Sequence, residues 1–131
     1  MREIYNLDLC EDTIKCMLDM APSITNLSDN EVIEKEAILK MIGCSDTEIS
    51  NIIGSNPEFL ITPTESILKL ITKLKSYGFT LLNILFDSNP YILNLEPFEI
   101  KNYIDNRIKK GETLEEIVDN LESEPYLFND F

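Results

Sequence analysis

The chain has 131 residues, 44% of them hydrophobic and only four of them Gly. That is enough to bury one core without disulfides or a structural metal, and too apolar for a disordered chain or a Gly/Ser linker. Eleven Lys and Arg stand against 24 Asp and Glu, a net charge of −13 that opposes long-range attraction to phosphate backbones and anionic lipid and favours a basic partner. Histidine is absent, which removes Ser-His-Asp and Cys-His catalysis, histidine metal sites and the usual near-neutral proton shuttle.

From the N-terminus, residues Met1 to Tyr5 lack a basic region leading into a long apolar stretch, and no apolar run reaches the roughly 18 residues of a membrane span. Cys10, Cys16 and Cys44 form no CxxC pair and lack metal-ligand spacing, so they read as small apolar packing residues in a reducing, cytoplasmic setting. Asp8, Asp12 and Asp29-Asn30-Glu31 do not match the twelve-residue calcium loop. The sequence implies no metal and no cofactor.

The first predicted helix carries Ile14 and Leu18 and runs into Pro22. The same phase returns at Ile49 and Ile53 before Pro57, at Leu82 and Phe86 before Pro90, and at Ile117 and Leu121 before Pro125. An i, i+4 spacing is one apolar stripe on a helix, and a proline disfavours the α conformation in the residue before it. The helices are therefore expected to end near Ser55-Asn56, Ser88-Asn89 and Ser123-Glu124. A short apolar turn follows each proline, with Ile24, Phe59, Ile92 and Leu127 two residues on.

Second helices are expected to begin at Thr62 or Thr64 with Pro63, and at Glu96-Pro97. They run through Ile67, Leu70, Ile71 and Leu74, and through Ile100, Tyr103, Ile104 and Ile108, to glycines that fall 21 residues after the prolines: Gly43, Gly78 and Gly111. A glycine there suits the left-handed residue of a helix C-cap. Thr80 or Thr113 then starts the next unit, and Thr113 with Glu116 reads as a capping box. Two amphipathic helices cannot hide both faces alone, so neighbouring units must stack. The expected fold is all-α: a short right- or left-handed helical-repeat solenoid of about three two-helix units (9–43, 44–78, 79–111) plus a C-terminal capping helix (112–131), in a single domain over 1–131.

Asn56-Pro57-Glu58-Phe59-Leu60, the helix after it, Leu74 to Phe79, and Asn89-Pro90-Tyr91-Ile92-Leu93 resemble the repeat of the mitochondrial transcription termination factor family, from about Leu9 onward. The resemblance implies a unit of two α-helices with a tight helical turn, and proteins that wrap nucleic acid with a basic inner surface. It carries over no single functional residue.

Charge is uneven along the chain: −5 over 1–43, −1 over 44–78, 0 over 79–111 and −7 over 112–131. The last segment has no basic residue, and Glu112, Glu115, Glu116, Asp119, Glu122 and Glu124 are the candidate partner-binding surface; the same residues also suit the polar outer face of a capping repeat. Nine of the eleven basic residues fall in second helices, among them Lys35, Lys40 and Lys75. Lys69, Lys73, Lys101, Arg107 and Lys109 are the alternative, nucleic-acid-contacting stripe, and lysines near helix C-termini also complement the helix dipole. Tyr77, Tyr91 and Tyr103 suit base stacking or the rim of the core. Adjacent carboxylates such as Glu34 and Glu36 meet no phosphate loop, so no catalytic residue is assigned.

Charge and size rank a non-enzymatic adaptor or inhibitor of a basic protein first. Its concrete form is a phage or mobile-element inhibitor of a nucleic-acid-binding defence protein, in the manner of acidic anti-CRISPR proteins. A termination-factor-like module that binds nucleic acid through the lysine stripe is the alternative, and no membrane partner is expected.

Overall fold

A computed structural model describes Leu7 and residues 9–131; the readings of Met1 to Tyr5 and of Asp8 lie outside the described residues. Those residues form an all-α helical repeat without a strand. No helix among them is long and apolar enough to cross a membrane. The chain divides into two compact units, 1–64 and 65–131, with the boundary inside the second proline-to-glycine repeat.

The first unit holds α1 (Glu11–Met20), a 3₁₀ turn (Pro22–Asn26), α2 (Asp29–Met41), α3 (Asp46–Ser55) and the single turn α4 (Glu58–Ile61). The second holds α5 (Thr64–Ser76), α6 (Leu82–Ser88), a 3₁₀ turn (Pro90–Asn94), α7 (Pro97–Lys109), α8 (Leu114–Ser123) and a last 3₁₀ turn (Pro125–Asp130). Each expected apolar turn is thus itself a short helix.

The proline elbows share one backbone geometry. The residue before each proline leaves the α region: Ala21 at φ −141 and ψ 77, Asn56 at −133 and 75, Asn89 at −144 and 84, Glu124 at −131 and 72. This is the clash between the proline ring and the preceding residue made visible. Each of these residues still donates its N–H to the carbonyl four back, and each accepts from the amide three ahead, as in Asn89 N to Leu85 O at 3.0 Å and Ile92 N to Asn89 O at 3.2 Å.

The glycines close the other end of the unit. Gly43, Gly78 and Gly111 have φ of 99, 101 and 97°, a region L side chains avoid. Each sits in a Schellman motif: Cys44 N bonds Leu39 O, Phe79 N bonds Leu74 O and Glu112 N bonds Arg107 O, at 3.0 to 3.2 Å. A hydrophobic contact normally joins these two flanking positions. Leu39 and Cys44, and Leu74 and Phe79, are buried as that rule asks; the third pair is Arg107 and Glu112. The fourth glycine, Gly54, stands where α3 meets the start of α1, and a Cβ there would lie 3.1 Å from Leu9 Cδ2 and 3.2 Å from Thr13 Cγ2.

Helix starts follow the expectation in part. Ser28, Ser45 and Thr113 accept the amide three residues on. At Thr113 the Glu116 carboxylate takes the threonine hydroxyl at 3.1 Å. Thr80, the equivalent of Ser45 and Thr113, does not cap α6, which begins after Leu81 without a side-chain cap.

Ile14, Ile49, Leu82, Ile117, Ile53, Phe86, Leu121, Ile24, Phe59 and Ile92 are all buried. Leu18 and Leu127 are half-buried; at the last turn Phe128, one residue on, fills the core against Phe79 and Phe131. Two expectations are corrected. Cys10 and Cys16 are exposed and only Cys44 packs in the core. On α2, Lys35 and Glu36 are buried while Ile33 and Met41 are exposed, so Lys35 belongs to no surface stripe. Its ammonium donates to Leu60 O at 3.2 Å, and desolvation lowers its pKa.

Candidate functional site

The second helices α5 and α7 place their basic residues by period. Lys69, Lys73 and Tyr77 follow i, i+4, i+8 along one flank of α5, beside the buried line of Ile67, Leu70 and Leu74. Lys101, Asp105 and Lys109 do the same on α7, beside Ile100 and Ile104.

The charges of the two rows act on one another. Asp105 accepts from Lys101 Nζ at 2.7 Å, and that bond, then Lys101, Lys109 on its own helix and Lys73 from α5, hold its carboxyl below the usual range. Lys101 is raised by the same hydrogen bond and by the Asp105 charge, with Tyr77, the residue after α5, adding a smaller share. Lys73 lies over the Tyr77 ring, 5.0 Å from its centroid. Lys101 is thus held by Asp105, and the charges of Lys109 and Lys73 are felt at the same carboxylate, on a chain of net charge −13.

Lys69 continues the α5 row and pairs with Glu65 at 3.1 Å, with both side chains well exposed. Such a pair is worth about 1 kcal/mol or less.

Arg107 does not join this cluster. It lies on the other flank of α7, over the Tyr103 ring at 5.3 Å, with Nη1 3.4 Å from Glu112 Oε2. Tyr103 stacks on Phe131 with centroids 4.1 Å apart, so neither it nor Arg107 is poised for a base. Arg107 came from the basic stripe and Glu112 from the acidic surface, and the structure spends them on each other. Glu112 precedes the Thr113 cap and is not on α8.

The remaining acidic candidates divide as well. Glu115, Asp119 and Glu122 lie at i, i+4, i+7 on one face of α8, with Glu116 to the side. Glu124 is the cap residue after α8 and accepts the Tyr126 hydroxyl at 3.2 Å.

Two features were missed by sequence reasoning. The Arg107 and Glu112 pairing follows from their Schellman positions, a signal present once Gly111 is assigned as the cap. The likeness of Pro90-Tyr91-Ile92-Leu93-Asn94 to Pro125-Tyr126-Leu127-Phe128-Asn129 marks Tyr91 and Tyr126 as equivalent, and both are exposed. Among the described residues no group of three His, Cys, Asp or Glu could hold a metal ion.

The family model described as mTERF matches residues 3–123, most of the chain. No curated protein matches it.

Proposed function

We propose that this chain, which belongs to the mTERF family, is a non-enzymatic nucleic-acid-binding module that contacts the phosphate backbone through Lys69, Lys73, Lys101 and Lys109. The observation that supports the reading is the Lys101–Asp105 pair at 2.7 Å, at whose carboxylate the charges of Lys109 and of Lys73 from the preceding second helix are also felt. Lysine ammonium groups suit phosphate as point charges and read no base. Family membership favours this reading over the adaptor or anti-CRISPR-like inhibitor ranked first on charge and size.

The test is fluorescence anisotropy with labelled duplex DNA and single-stranded RNA at low salt. Lys73→Glu combined with Lys101→Glu and Lys109→Glu is expected to abolish binding, while Lys15→Glu with Lys40→Glu, exposed and outside the cluster, leaves most of it. Equal losses from both variants, or no binding by the unaltered chain, would overturn the proposal.

One observation keeps the acidic-surface reading as a second: Glu115, Asp119 and Glu122 share an α8 face in a segment without any basic residue. Charge reversal of the three should abolish capture of a basic partner and leave nucleic-acid binding no weaker.

A further inference from the structure

The last proline turn carries a tyrosine set among carboxylates. Tyr126 is 61% exposed, its hydroxyl donates to Glu124 Oε2 at 3.2 Å, and that bond, then Glu124 and Asp130 nearby, raise its pKa. Its equivalent, Tyr91, is 49% exposed on the Pro90–Asn94 turn, which packs against the Pro125–Asp130 turn. Asn89 ties the two turns together, donating from Nδ2 to Pro125 O and to Asn129 Oδ1, both at 3.0 Å.

The chain shows elsewhere what such a set receives. At Tyr103 an aromatic face and the Glu112 carboxylate together hold the Arg107 guanidinium. Tyr126 with Glu124 offers the same two groups in a segment that has no basic residue between 112 and 131. A guanidinium gains from the ring face and from the carboxylate at once, and a phenol hydroxyl bonded to a carboxylate enriches the ring it lies on.

We infer that the Pro125–Asp130 turn is a docking point for an arginine-bearing segment of a partner protein, with Tyr126 and Glu124 as the receiving pair and Tyr91 extending the aromatic surface. Charge complementarity selects this occupant. A nucleic acid stacking on the same tyrosines would bring its phosphates against Glu124 and Asp130. The site deepens the second reading above, since Glu124 belongs to the same acidic segment, and it is separate from the lysine cluster.

The experiment titrates a fluorescein-labelled nona-arginine peptide, and separately a labelled oligo-dT, into the unaltered chain and four variants: Tyr126→Ala, Tyr126→Phe, Glu124→Gln, and Glu115→Gln with Asp119→Asn on α8. Tyr126→Ala is expected to weaken peptide binding about fivefold and Glu124→Gln by a similar factor, while Tyr126→Phe, which keeps the ring, costs less. The α8 double variant removes more charge than Glu124→Gln and is expected to cost less. Three results overturn the inference: unchanged peptide binding by Tyr126→Ala, a loss in the α8 variant at least as large, or a Tyr126→Ala loss confined to oligo-dT. Circular dichroism establishes that each variant is folded.

Discussion

Glycines are required at single positions for two different physical reasons. At Gly78 a Cβ would meet nothing within 4 Å, so the cost of a side chain is conformational alone, set by φ +101. Gly78→Ala is expected to lower stability by about 1 kcal/mol, read from urea denaturation. At Gly54 the obstacle is contact, with two methyl groups 3.1 and 3.2 Å from the new carbon. Both are side-chain ends that can yield, and alanine regains about 1 kcal/mol of helix propensity. Gly54→Ala should therefore cost less than Gly78→Ala, and the reverse order would mean that the α1 and α3 crossing is rigid. Asp105 is a third kind of case, a carboxylate placed among lysines. Asp105→Asn removes the one negative charge inside the cluster and should tighten nucleic-acid binding about threefold at low salt; weaker binding would show that Asp105 orients Lys101 toward the ligand.

Between elements, successive repeats are joined by a few polar side chains in an otherwise apolar core. In the first unit Lys35 reaches from α2 to the carbonyl of Leu60 at the end of α4. Lys35→Ala removes the buried stem and leaves that carbonyl without its donor, so a loss of about 1–3 kcal/mol is expected from denaturant midpoints. In the second unit Asn89→Ala breaks two hydrogen bonds to the last turn and should cost about 1–2 kcal/mol, with hydrogen exchange accelerated over Pro125–Asp130 before the rest. These links were not legible in the sequence, while the register around them was. Prolines and glycines act on their own backbone, so Pro57, Pro90, Gly78 and Gly111 announced the helix ends without reference to any partner. Lys35 reads as one more surface lysine because its burial depends on α4, twenty-five residues away. Arg107 and Glu112 read as members of two rival charged surfaces because their pairing depends on the shape of a cap. Of the candidate site, the α5 and α7 rows were visible in the 3.6-residue period; which charges of one row act on the other was not, since period fixes a face and not its neighbour. Thr80 marks the limit in the other direction, where the local signal for a cap is present and the helix starts after Leu81 regardless.

At the scale of the whole chain, net charge and local charge pull opposite ways, and salt separates them. A net charge of −13 acts against the compact state through self-repulsion, which added electrolyte screens as the Debye length falls to about 10 Å at 0.1 M. Melting temperature should rise with sodium chloride, by about 4 °C for each kcal/mol of repulsion removed from a chain of this size. Nucleic-acid binding through the lysine cluster should fall over the same range, because each neutralised phosphate releases a counterion. With Lys69, Lys73, Lys101 and Lys109 in contact, log K against log salt should have a slope of about −3.6 on duplex, and Lys109→Gln should flatten it by about one. A binding curve that strengthened with salt alongside the melting temperature would mean that the acidic surroundings, and not the cluster, govern association. The opposite trends, measured on one sample series, distinguish a chain that binds phosphate at one basic flank from one that merely tolerates it.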